Sequence, residues 1–329
     1  MIGRALLAGF AAAFALMPAA ASAHEGTPPA PHDLWSSWNL DPLILASLAL
    51  AGWLYARGVA ALWRRAGSGR GVPRWRVAAF AGALLALALA LVSPLDALSS
   101  GLFSAHMAQH QLLILVAALL AVLGAPLLPL LWALPRSWRI ALLHWSRRPA
   151  PSAVSHVLQR PIIVLALFVT LLWAWHGPIL YEAALAHETI HALEHACLFG
   201  VALLFWWTVL QPSGRRRVGY GSAVLMVFVA ALQGTALGAL IIFSGAPWYP
   251  AYATTAPLWG LTPLADQQLA GALMGAPADA VLLATVLALV ASLIRTSEQN
   301  ARRRELTLPR PPQFAPGAAM PNAHPGSHH

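Results

Sequence analysis

Apolar runs long enough to cross a hydrocarbon core leave this chain few folds. A helix needs about 20 residues for the crossing, at about 1.5 Å per residue. Runs of that length recur from Pro42 onward, without the apolar–polar alternation of strands. Only 9% of the 329 residues are charged, against about 25% in soluble domains. Lipid offers a backbone no hydrogen bonds, so each run must close its own as a helix. The expected class is all-α, a polytopic membrane helical bundle. A soluble α/β enzyme does not fit runs this long.

Seven spans are expected, over residues 42–63, 77–92, 105–123, 161–180, 189–210, 219–243 and 267–294. The sequence has no lysine, so its formal charge of +9 comes from arginine. The arginines cluster on alternate connections: Arg64, Arg65, Arg70, Arg74 and Arg76; then Arg136, Arg139, Arg147, Arg148 and Arg160; then Arg215 to Arg217; then Arg295 and Arg302 to Arg304. Basic residues gather in cytoplasmic loops, which selects an N-out, C-in topology in the plasma (inner) membrane. That distribution is unlike the continuous basic patch of a nucleic-acid binder, so no nucleic acid is expected as a partner. The stretch 127–134 reads as an amphipathic segment lying in the interface. Trp35, Trp38, Trp173, Trp175, Trp206 and Trp207 fall near span ends, as in an aromatic belt.

Residues 1–23 read as a signal peptide, with Arg4 ahead of an apolar core and Ala21-Ser22-Ala23 as the cleavage site. An uncleaved first helix is the alternative. An extracytoplasmic linker over 24–41, a seven-helix domain over 42–295 and a disordered cytoplasmic tail over 296–329 complete the organisation. Cys197 is the single cysteine, so no internal disulfide exists.

Six of the thirteen histidines fall at one end of three expected spans: His106 and His110, His176, and His187, His191 and His195. Imidazole in a bilayer is costly and marks metal, haem or proton chemistry. His106 and His110 are four residues apart and share a helix face, as do His187, His191 and His195. Imidazole suits copper, zinc and iron, and Met107 or Met274 could add a thioether for Cu(I). Asp266 is a candidate ligand, or an acceptor that orients a histidine. His191-Ala192-Leu193-Glu194-His195 also spells H-x-x-E-H, the inverted zinc-hydrolase signature, with Glu194 as general base. Asp279 and Gln233 fall near mid-membrane, where Asp279 is protonated, paired with Gln233 or part of a proton path. Gly234-xxx-Gly238 and Gly271-xxx-Gly275 permit close helix approach.

These pieces resemble the multi-spanning CtaG family of cytochrome c oxidase assembly factors, not the single-span copper chaperone that shares the name. The resemblance rests on Ser93-Pro94-Leu95-Asp96, His106-Met107-x-Gln109-His110, Trp175-His176 with Pro178 and Tyr181, His191-x-x-Glu194-His195, Tyr249-Pro250-x-Tyr252, and Asp266-Gln267-Gln268 with Gly271 and Met274. Gly275 stands where the family commonly has tryptophan, and Asp279 where a small residue is usual. The resemblance implies a non-enzymatic role in oxidase assembly through copper handled at the outer face. It implies a site drawn from His106, His110, His176, His191, His195 and Asp266. Cytochrome c oxidase subunits, an extracytoplasmic copper donor and the lipid bilayer are the implied partners. The residues alone leave open a haem-binding membrane cytochrome, an intramembrane zinc hydrolase and a copper permease.

Overall fold

The computed structural model describes residues 29–148, 153, 157, 158, 160–210 and 219–307. The expected signal peptide, Arg215 to Arg217 and the tail beyond Thr307 lie outside the described residues. The chain divides into Met1–Leu289 and Val290–His329, and the first unit holds everything that follows, apart from the end of the last helix.

Among the described residues every element is helical. Helix α1 covers Pro42–Ala66 and α2 Arg74–Leu91, followed by a short α3 over Pro94–Ser99. Helix α4 runs through Phe103–Leu123. Short helices α5 (Leu127–Ala133) and α6 (Arg136–Trp145) lead to α7 (Pro161–Trp175) and α8 (Pro178–Ala186). Helix α9 covers Glu188–Leu210, α10 Tyr220–Ile242 and α11 Pro263–Thr307. Six of these are long and apolar enough to cross a membrane, and the pair α7–α8, bent by 68°, passes the same test taken together, as a broken span or a re-entrant loop.

The bend has a local cause. Pro178 lacks an N–H and disfavours helical geometry at the residue before it, and Gly177 is extended at φ −69° and ψ 134°. The fourth expected span is therefore broken, with His176 as the last residue before the break. Residues 94–99, expected as loop, are helical because Ser93 accepts from the Leu95 N–H at 3.2 Å and Pro94 takes the first position. Helix α11 continues to Thr307, past the expected end of its span at residue 294 and into the expected tail.

Helices α4 and α9 are the two most buried spans. They pack on each other, α4 also against α2 and α3, and α9 also against α7, α8 and α10. Over Leu112–Ala117, just past His110, α4 widens into a π-helical turn. Such a turn disturbs the regular ladder of carbonyl bonds, and the Trp206 indole N–H donates to the Ile114 carbonyl at 2.8 Å. Trp206 and Trp175 are thus buried in the core instead of facing an aromatic belt.

Two close approaches depend on glycine. Helix α5 packs against α1, where a Cβ on Gly58 would lie 1.8 Å from the Pro129 carbonyl oxygen. Helices α10 and α11 meet at Gly238 and Gly271, whose added Cβ atoms would lie 2.8 Å and 2.7 Å from the opposite carbonyl oxygen. A Cβ on Gly234 or Gly275 would meet nothing within 4 Å, although the Gly275 backbone N lies 3.7 Å from a Cβ built on Gly238. Asp279 accepts from the Thr235 hydroxyl at 3.1 Å and 3.0 Å, a partner not among those expected from the sequence.

Candidate metal centre

The first turns of α4 and α9 and the helix break after α7 bring the histidines together. His106 and His110 lie one turn apart on α4, at most 1% exposed. Their Nε2 atoms are 3.0 Å from each other. Glu194 of α9 is wholly buried, with Oε2 3.6 Å from His106 Nε2 and Oε1 3.7 Å from His110 Nε2. His195 and His191 of α9 complete one side, their rings 6.1 Å and 5.3 Å from that of His106. His176 closes the other, 5.8 Å from the His110 ring.

The tautomer of His176 follows from its contacts. Its Nδ1 lies 2.6 Å from the Leu172 carbonyl oxygen, which can only accept, so Nδ1 carries the proton and Nε2 the lone pair. That Nε2 is buried with no hydrogen-bond partner among the described residues, as are His110 Nδ1, His195 Nε2 and both Glu194 oxygens. Each orphaned buried group costs about 1–3 kcal/mol. A cation held by Glu194 would remove that cost at its carboxylate, whereas His110 Nδ1 is on the other side of the ring from the Nε2 that faces the cluster.

Spacing agrees with a cation. Atoms about 2.0–2.1 Å from one metal lie about 3.3–3.6 Å from each other in tetrahedral or trigonal arrangement. The two Nε2 atoms are 3.0 Å apart, and His106 lies 3.6 Å from one Glu194 oxygen and His110 3.7 Å from the other. The ligand atoms would therefore have to spread or shift by a few tenths of an ångström around an ion. Among the described residues, two triads have ligand atoms all within 4.8 Å of one another: His106, His110 and Glu194, and His106, His191 and His195.

Other expected site residues lie elsewhere. His187 precedes the first residue of α9 in extended geometry and is exposed. It is therefore off the helix face on which four-residue spacing would align it with His191. Met107 is fully buried, but in an aromatic layer with Met274, Phe103, Tyr181, Tyr249 and Tyr252. Asp266 accepts from the backbone N–H groups of Phe103 and Ser104, at 2.7 Å and 3.1 Å, and from the Ser104 hydroxyl. It caps α4 from another helix, where a carboxylate suits the positive end of the helix dipole. Asp266 therefore holds the start of the helix that carries His106, and it belongs to neither cluster of close ligand atoms found among the described residues. Asp266→Ala is expected to lower unfolding free energy by about 1–3 kcal/mol, read as an earlier thermal melt in micelles.

Sequence reasoning weighed Glu194 only as a hydrolytic base, although its three-residue spacing from His191 already put it on the same helix face. A second buried network supports the site from behind. Gln109 donates to the Ala90 carbonyl and to Asp96 Oδ1, both at 2.8 Å, and Asn39 donates to Asp96 Oδ2 at 2.8 Å. A tyrosine layer covers it. The Tyr252 hydroxyl donates to the Ser99 carbonyl at 3.1 Å, so the Tyr181 hydroxyl donates to Tyr252, at 2.8 Å. Tyr249 donates to the His176 carbonyl at 2.7 Å. Burial pushes the Tyr249 and Tyr252 hydroxyls above the usual tyrosine range, which keeps both as donors.

Beside the histidines a cavity of about 100 Å³ lies between α1, α2, α4 and α9. Leu48, Asp96, Glu188, His191 and His195 are among its walls.

Comparison with known proteins adds the lineage. Uncharacterized proteins of Mycobacterium bovis and Mycobacterium tuberculosis are each 28% identical over 293 residues, covering 84% of this chain and 42% of their own length. One of Mycobacterium leprae is 26% identical over 280 residues, covering 82% of this chain and 41% of its own. The chain thus spans about two fifths of the curated relatives it matches. No solved structure matches it. A family model described as cytochrome c oxidase caa3 assembly factor matches residues 53–296, from within α1 to the later part of α11, and so takes in both histidine-bearing helices and the broken span. With most of its length matched, this chain belongs to the CtaG family of cytochrome c oxidase caa3 assembly factors.

Proposed function

We propose that the chain assists assembly of a cytochrome c oxidase by holding Cu(I) near the outer face of the plasma membrane and passing it to an oxidase subunit, without catalysing a reaction. The observation that carries this reading is the convergence of His106, His110 and Glu194 from two spans, their ligand atoms within 4.8 Å. His176, His191 and His195 supply further imidazoles. Asp266 acts from outside the ligand set, and Met107 and His187 stand apart from it.

Charge favours a monovalent cargo. A buried site with one carboxylate and neutral imidazoles becomes neutral with Cu(I), while a divalent ion leaves a net charge in low dielectric. Imidazole is a good copper ligand, and several exchangeable nitrogens allow transfer one bond at a time. The arginine distribution supports N-out, C-in topology, which puts this site on the side of an extracytoplasmic copper donor.

Haem is less well supported. The contacting histidine rings are 4.2–6.1 Å apart and occupy the space that a porphyrin plane would need. A zinc hydrolase is also less well supported. The carboxylate of Glu194 lies against His106 and His110, rather than standing beside a metal held by His191 and His195.

Deleting the gene tests the proposal. Cells should retain normal total copper but lose oxidase activity, with oxidase protein that carries haem and lacks copper. A fall in whole-cell copper would instead indicate a permease, and fully metallated oxidase would end the assembly reading.

A further inference from the structure

The two triads share His106 but differ in burial and access. His106, His110 and Glu194 are at most 1% exposed. None of the three is among the residues lining the cavity between α1, α2, α4 and α9. His191 and His195 do line it, and His191 is only partly buried. Glu188, His191 and His195 are spaced three and four residues apart and form one stripe of α9 along that wall.

We propose that a cation entering through this cleft occupies two stations in turn, an entry station of His106, His191 and His195 and a terminal station of His106, His110 and Glu194. This rests on the reading of the pocket as a copper carrier. Asp96 and Glu188 line the cleft and draw a cation toward its mouth. Asp96 is held in place by Asn39 and Gln109. At the entry station the ion is bound by neutral imidazoles and keeps its charge. Moving inward, it keeps its bond to His106 while those to His191 and His195 break and those to His110 and Glu194 form. No electron moves, so copper stays Cu(I). The step runs inward because the Glu194 carboxylate neutralises the ion in a buried site. A shared ligand means that the ion is never bare during the transfer.

Stopped-flow loading of the purified full chain with Cu(I), followed by competition against a chromophoric chelator, separates rate from capacity. His191→Asn, and Leu48→Trp to narrow the cleft without touching a histidine, should each load about tenfold more slowly while reaching the wild-type Cu(I) content. His106→Ala should bind none at either station. Glu194→Gln should fill at the wild-type rate and hold its ion at least about tenfold more weakly. Wild-type loading rates in both His191→Asn and Leu48→Trp would overturn the relay. So would loss of Cu(I) capacity in His191→Asn equal to that of His106→Ala, which would mean one undivided site. A wild-type chain that takes up no Cu(I) would overturn the carrier reading and this proposal with it.

Discussion

Alanine in place of His110 is expected to lower Cu(I) affinity of the purified chain by about two to three orders of magnitude. Removing one partner from a buried charged set typically costs about 3–5 kcal/mol, and each 1.4 kcal/mol is about tenfold. His110 contributes at two levels. Its Nε2 stands 3.0 Å from that of His106 and 3.7 Å from Glu194, and its ring faces both His176 and His195. Without it, a cation would keep only one imidazole of the terminal triad beside the carboxylate. Competition with a Cu(I) chelator measures the loss, and thermal melting checks that the variant remains folded. His187→Ala and His144→Ala are the controls. Both residues are exposed and outside the triads, so their affinity should equal that of the wild type.

Gly58→Leu is expected to prevent accumulation of the protein in membranes, and Gly58→Ala to destabilise it by about 3 kcal/mol or more. The first added atom would overlap backbone, 1.8 Å from the Pro129 oxygen and 2.4 Å from its carbonyl carbon. No rotamer relieves that, so α1 and α5 must part, and overpacking of this kind costs about 1–3 kcal/mol even where side chains can yield. The same separation would strain the nearby bond from the Tyr55 hydroxyl to the Gly124 carbonyl, 2.9 Å long, and the stack of Tyr55 on Phe80. Gly234→Ala and Gly275→Ala provide the contrast. Neither Cβ meets anything within 4 Å, and alanine gains about 0.5–1 kcal/mol of helix propensity over glycine. Membrane fractionation and thermal unfolding distinguish the outcomes.

Apolar length made the bundle legible, because lipid leaves a spanning backbone one way to satisfy itself. His106 and His110 were legible as a pair for the same kind of reason, since helical spacing alone puts four-apart residues on one face. What spacing cannot supply is where a helix starts. His187 fits the four-residue series on paper, but α9 begins one residue after it and the series loses its first member. Nor does spacing report on partners from another span. Asp266 could be read as a ligand or as an acceptor that orients a histidine, and spacing could not foresee that its two oxygens accept from the start of α4. Glu194 joins the histidines of α4 only through the packing of α9 on α4, a contact between residues more than eighty positions apart that no local pattern encodes.

The break at Gly177 has a consequence for the surrounding lipid. Helix α7 is 15 residues long, about 22 Å at the helical rise, while a hydrocarbon core measures about 30 Å. Where α8 turns away at 68° and α7 alone crosses, so short a helix would draw the leaflet inward or admit headgroups at its end, and His176 stands at that end. Acyl-chain length would thereby become a variable of the proposed metal pocket. Reconstitution in thin and thick bilayers should change how readily a water-soluble chelator strips the ion, with the thicker membrane giving slower removal.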